Sequence, residues 1–177
     1  MDFLDEILIT ENKINSKVCE LGQKITHDYK DKNLLLVGIL KGSIMFFTDL
    51  SREINIYNCT LDFIQVSSYT GMVRNNKINI LKNLSTEDIT NFDVLIIEDI
   101  LESGHTLEFV KNMINLKNPK SLKTCVLLDK PELHKINIKA DYVGFEIPDK
   151  FVIGYGMDYN EKYRNLPFIG VLNKKYI

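Results

Sequence analysis

The chain has 177 residues, 45% hydrophobic and 26% charged, with 22 Lys and Arg against 24 Asp and Glu and a formal net charge of −2. This is the length of a single domain (residues 1–177) around one core and the mix of a soluble globular protein, and its charge favours neither a nucleic-acid backbone nor an anionic membrane. No apolar run approaches the ~20 residues that cross a bilayer, and the acidic start "MDFLDEILIT" is no signal peptide, so a cytoplasmic protein is expected.

In chain order, "ENKINSKVCELGQKITHDYK" sets Ile14, Val18, Leu21, Ile25 and Tyr29 at helical spacing, which predicts an amphipathic helix opening the domain. "NLLLVGIL" is a continuous apolar run and predicts a strand covered on both faces. "SIMFFTDLSREI" predicts a helix with Ser43 as its N-cap. "TLDFIQVSS" predicts a strand entering the polar segment "YTGMVRNNK", with Gly71 as a hinge. "VLII" predicts another buried strand, "HTLEFVKNMINLK" a helix and "KTCVLL" a further strand. "DYVGFEI" and "FVIGY" predict shorter strands on either side of "PDK". Strands alternating with helices imply a parallel sheet, an α/β domain, and the C-terminal stretch breaks that rhythm as an appended small lobe. The three cysteines, Cys19, Cys59 and Cys125, form no CxxC and no metal-ligand spacing. Cys19 and Cys125 fall in apolar patterns expected to bury reduced thiols.

The segment that carries chemistry is "VLIIEDILESGHTL", Val94 to Leu107. In a parallel sheet, ligands bind beyond the carboxyl ends of the strands, and Glu98 and Asp99 follow the apolar run at that end. Ser103, Gly104, His105 and Thr106 lie between strand and helix, where free N–H groups and the helix dipole favour an anion. Gly104 allows a close backbone approach, and Ser103 and Thr106 add hydroxyl donors. Two carboxylates beside a phosphate nest suit a sugar phosphate. The plainer reading of the same residues is a solvated acidic turn before a capped helix.

The same stretch resembles the phosphoribosyl-pyrophosphate signature of the type I phosphoribosyltransferases. "LVGILKGSIMF", "DFIQVSSY", "LLDKPE", "VGFEIPDKFVIGYGMDYNEKYRNLP" and "FIGVL" match, in order, the hypoxanthine-guanine branch of that family. The resemblance covers essentially the whole chain. It implies a parallel-sheet core with flanking helices plus a small purine-binding hood built from the C-terminal and N-terminal segments. It implies transfer of a phosphoribosyl group from phosphoribosyl pyrophosphate to a 6-oxopurine with Mg2+, and a homodimer or homotetramer.

Residue by residue, the resemblance implies that Glu98 and Asp99 hold the ribose hydroxyls, directly or through the metal. Ser103, Gly104, His105 and Thr106 cradle the 5-phosphate. Lys41 and Gly42 bind pyrophosphate in a loop whose Leu40–Lys41 peptide is cis. Residues 67–77 form a lid over the reacting centre with Ser68 and Tyr69 at its root; a developing sugar cation is easily trapped by water, which gives a lid its chemical reason. Lys130 faces the purine 6-oxygen, Phe151 stacks on the ring, and backbone acceptors near Val152 and Asp158 meet its 2-position. Asp158 accompanies magnesium with Glu98 and Asp99, and Arg164 contacts pyrophosphate through its planar fork. Without the resemblance, Lys41 and Lys130 read as solvated surface charges and Phe151 as a core aromatic. His27 reads as a helix-surface residue, His105 as solvent-facing and His134 as unpartnered.

One position departs from the family. The usual pattern has Asp where this chain has Glu102, and that Asp is regarded as the proton acceptor for ring nitrogen 7 of the purine. Glu keeps the carboxylate and adds a methylene, so either the turn has shifted to suit it or the rate is reduced. A non-catalytic sensor of phosphoribosyl pyrophosphate or a nucleotide is the second reading, and Glu102 is the one feature that favours it. A generic dinucleotide-binding module is remote, because the chain lacks GxGxxG.

Overall fold

The apolar segments of the sequence form the middle of a six-stranded sheet. A computed structural model of the protein describes residues 2–68 and 78–176. In chain order the elements are β1 (Leu4–Ile9), α1 (Glu11–Asp28), β2 (Leu34–Leu40), α2 (Ile44–Glu53), β3 (Cys59–Ser68), β4 (Ile78–Lys82) and β5 (Asp93–Leu101). There follow α3 (His105–Asn115), β6 (Ser121–Asp129), β7 (Tyr142–Glu146), β8 (Val152–Ile153) and β9 (Ile169–Leu172). The main sheet runs β4-β3-β2-β5-β6-β7. Its strands pair in parallel except for β4, which lies antiparallel to β3 at one edge.

The continuous apolar run of β2 follows from burial on both faces. Leu34 and Leu36 pack with Ile14, Val18, Leu21 and Ile25 of α1 and with Phe46, Phe47 and Leu50 of α2. Leu35, Val37 and Ile39 pack on the opposite face with Leu107, Val110 and Ile114 of α3. Each such side chain contributes roughly 1.5–3 kcal/mol on leaving water. After β2 the chain crosses to β3 on one side, and after β5 to β6 on the other. The order therefore reverses between β2 and β5, which opens a crevice at their carboxyl ends.

Several expectations change. β5 extends to Leu101, paired with Asp129 of β6, so Glu98 and Asp99 lie within the strand rather than past its end. The backbone ladder continues through them because it is indifferent to side-chain polarity. β1 precedes the opening helix and pairs with β9, which pairs with β8 in a separate three-stranded sheet. β7 joins the main sheet, so the C-terminal stretch is not wholly a separate lobe. Ser43 is buried and donates to the Ile39 carbonyl at 2.6 Å; its hydroxyl does not cap α2. Cys125 is buried, while Cys19 and Cys59 are half-buried, and all three are free thiols. The lid expectation falls outside the described residues from Tyr69 to residue 77; Ser68 is placed by its backbone as the last residue of β3.

Candidate active site

Two turns face each other across the crevice. After β2 the Leu40–Lys41 peptide is cis, and the chain passes Gly42 before α2 begins. A Cβ on Gly42 would lie 1.9 Å from Oδ2 of Asp99, so the absent side chain is what lets this turn close over the β5 carboxylate. After β5, Gly104 adopts φ +87° and starts α3. That left-handed angle suits glycine, and a Cβ there would lie 2.5 Å from Ile138 Cγ2. The 131–138 segment backs the turn, with the Lys135 N–H donating to the Ser103 carbonyl at 3.1 Å. Ser103, His105 and Thr106 are half-buried at the start of α3, whose first-turn N–H groups lack partners within the helix.

Glu98 and Asp99 are both buried. Burial, then the neighbouring Asp99 charge, pushes the Glu98 carboxyl well above the usual range. Burial also raises Asp99, against its backbone hydrogen bonds and the Arg164 charge, which lower it. Oε2 of Glu98 is buried without a partner among the described residues. A pair so placed suits a cation or donor hydroxyls, which would relieve the mutual repulsion. Among the described residues no three His, Cys, Asp or Glu side chains gather closely enough to cage a metal. Magnesium does not need such a cage: it takes one or two carboxylates and completes its shell with water and substrate phosphates. The Glu98–Asp99 pair fits that demand. Asp158 is engaged by Arg164 at 2.8 Å.

Beside this pair lies a cavity of about 180 Å³ lined by Asp99, Ile100, Glu102, Lys130, Phe151, Val152, Met157 and Asp158. Lys130 is only 3% exposed, which overturns the solvated-lysine reading. Its ammonium lies 2.5 Å from Oε1 of Glu102 and 4.0 Å from Oδ1 of Asp149. Phe151 is 44% exposed and meets Tyr159 edge-on at 5.7 Å, so it is not the core aromatic its isolated pattern suggests. On the β2 side, Lys41 pairs with Glu161 at 3.1 Å, and Arg164 donates to the Gly156 carbonyl at 2.8 Å.

Sequence reasoning missed two features. His134, read as unpartnered, lies 2.7 Å from Asp129, a contact between residues five apart that no periodicity announces. Glu161 falls inside a quoted block but carries no helical or strand pattern that would single it out. A larger cavity of about 930 Å³, lined by Lys30, Lys32, Asn33, Asn58 and Lys120 among others, lies at the amino ends of the strands. We assign the chemistry to the smaller one, because it holds the buried Asp99 and Lys130 at the carboxyl ends.

A model of the phosphoribosyl transferase domain matches residues 5–160. The hypoxanthine phosphoribosyltransferase of Escherichia coli (strain K12) is 48% identical over 168 residues, 93% of this chain and 93% of that protein. The hypoxanthine-guanine phosphoribosyltransferase of Bacillus subtilis (strain 168) is 47% identical over 170 residues, 96% of this chain and 93% of that protein. A crystal structure of a hypoxanthine phosphoribosyltransferase from Staphylococcus aureus superposes with a TM-score of 0.94 at 47% identity, covering 99% of this chain and 95% of the other.

Proposed function

The chain belongs to the phosphoribosyltransferase family, and from that premise we propose that it transfers the 5-phosphoribosyl group of phosphoribosyl pyrophosphate to hypoxanthine or guanine. The products are the nucleoside monophosphate and pyrophosphate, a purine-salvage reaction. In the transfer the bond from ribose carbon 1 to the pyrophosphate oxygen breaks, and pyrophosphate leaves with the bonding electrons. A purine ring nitrogen forms the new bond to that carbon, and the displaced ring proton goes to Glu102.

The observation that carries this reading is the buried Lys130 ammonium, beside Glu102 and Phe151 in a cavity that also holds Asp99. Lys130 donates to the purine 6-oxygen and Phe151 lies against the ring face, while Val152 and Asp158 border its 2-position. Glu98 and Asp99 hold the ribose hydroxyls. The turn of Ser103, Gly104, His105 and Thr106 holds the 5-phosphate on the amino end of α3. Lys41, Gly42 and Arg164 hold the pyrophosphate. Glu98 and Asp99, with Asp158, would hold a magnesium ion, which would supply positive charge to the phosphate groups. We place the enzyme in the cytoplasm as a homodimer or homotetramer; among the described residues no helix is long and apolar enough to cross a membrane.

The test is to combine the protein with phosphoribosyl pyrophosphate, magnesium and each candidate base, and to assay nucleoside monophosphate. Formation with hypoxanthine or guanine is expected. Folded protein that makes no nucleotide with any base overturns the enzyme reading in favour of a sensor.

A further inference from the structure

The carboxylate of Glu161 sits where two cations converge. A single oxygen, Oε2, lies 3.1 Å from the Lys41 ammonium and 3.2 Å from an Arg164 guanidinium nitrogen. Lys41 comes from the turn after β2 and Arg164 from the C-terminal loop, so one oxygen joins two separate parts of the site. The Glu161 side chain is nevertheless 65% exposed, and an exposed pair of this kind adds little to stability. The backbone is shaped to put it there. Asn160, Glu161 and Tyr163 have φ of 51°, 61° and 74°, left-handed angles that side-chain-bearing residues adopt at a cost and that cluster at functional sites. The Glu161 N–H donates to Asp158 Oδ2 at 2.8 Å, while Asp158 Oδ1 holds Arg164 at 2.8 Å. The two cations, Lys41 foremost, hold the Glu161 carboxyl below its usual range.

A diphosphate oxygen would meet a lysine and an arginine at the same charge-assisted distances. We infer that Glu161 is an internal stand-in for diphosphate, pairing Lys41 with Arg164 in the ligand-free protein and giving way when diphosphate binds. The inference rests on the assignment of Lys41 and Arg164 to the pyrophosphate subsite. An internal occupant lowers apparent affinity by the fraction of molecules in which it sits in place. Its return to the two cations favours departure of the product, a step that limits turnover in many enzymes.

The test uses inorganic pyrophosphate with magnesium, titrated calorimetrically into the full chain and into Glu161→Gln, which keeps size and removes charge. Exposed pairs are weak, so pyrophosphate should bind Glu161→Gln about threefold to tenfold more tightly. Affinity for inosine monophosphate, whose phosphate lies on the α3 turn, should stay the same. A purely structural role for Glu161 would weaken both ligands together. In a Lys41→Ala background the gain from Glu161→Gln should shrink, as expected for coupled residues. Equal or weaker pyrophosphate binding by Glu161→Gln, or no binding to either protein, overturns the inference. Nucleotide synthesis by the unaltered chain is measured alongside: activity with no change in Glu161→Gln removes the stand-in alone, whereas inactivity with every base removes the enzyme reading.

Discussion

Lys130 carries three N–H donors and no acceptor, and it is buried where the purine is proposed to lie. A 6-oxo group accepts from it; the 6-amino group of adenine donates and would leave the ammonium facing a like dipole. Hypoxanthine and guanine should therefore turn over while adenine does not, and efficient formation of adenosine monophosphate would remove Lys130 from this role. The same lysine is held at 2.5 Å by Glu102, so the expected proton acceptor and the expected purine donor are partners before substrate arrives. Glu102→Gln keeps the shape and removes the base. Its kcat should fall by about 10²–10⁴-fold, the usual span for a general base, with no rise in the KM for hypoxanthine. Glu102→Asp withdraws the carboxylate by a methylene and opens the contact, so its KM for hypoxanthine should drop. Steady-state kinetics decide both, and parent-like turnover by the Gln variant, with chemistry limiting, leaves Glu102 a turn residue.

At the scale of elements, the edge of the sheet depends on Asp62 of β3. It is buried and accepts from the N–H groups of Phe63, Ser85 and Thr86 at 2.7, 2.8 and 2.8 Å and from the Thr86 hydroxyl at 2.9 Å. These bonds pin the chain leaving β4 onto the strand beside it. Burial alone would raise the Asp62 carboxyl; the backbone N–H groups of Thr86 and Phe63, the Thr86 hydroxyl and the Lys82 charge outweigh it and hold it below its ordinary value. A carboxyl lowered in the folded state stabilises fully above its unfolded pKa, near 3.9, and loses that contribution as pH falls through the folded one. Urea unfolding of the parent and of Asp62→Asn at pH 6 and pH 3 should show a smaller acid loss in the variant. Equal losses would mean that the Asp62 charge does not stabilise the edge.

At the scale of the molecule, the hood is not a separate body. Ile9 of β1, Val152 of β8 and Ile169 of β9 belong to the same buried cluster as Leu34, Leu36 and Leu95 of the main sheet. Glu6 of β1 forms an ion pair with Lys150, next to Phe151. The surface proposed to face the purine therefore rests on the same core as the main sheet. Calorimetry should show one transition with matching calorimetric and van't Hoff enthalpies. Two resolved transitions would make the hood an independent unit.

The sequence by itself determined the α/β class, the helices and the buried central strands, because apolar periodicity and continuous apolar runs are local consequences of which faces meet water. The Gly104 turn was legible too, since a strand, a Gly-containing turn and a helix in succession are set by local sequence without reference to the rest of the chain. The tertiary structure alone decided what could not be local. β1 and β9 pair across nearly the whole chain, and β4 finds its place only beside β3. Lys130 looks like a solvated strand-end residue until the 151–158 segment and Glu102 close around it. Lys41 and Glu161, 120 residues apart, meet only because the C-terminal loop folds back over the β2 turn. Periodicity reports a residue's exposure, whereas partners distant in sequence are chosen by the path of the chain between them.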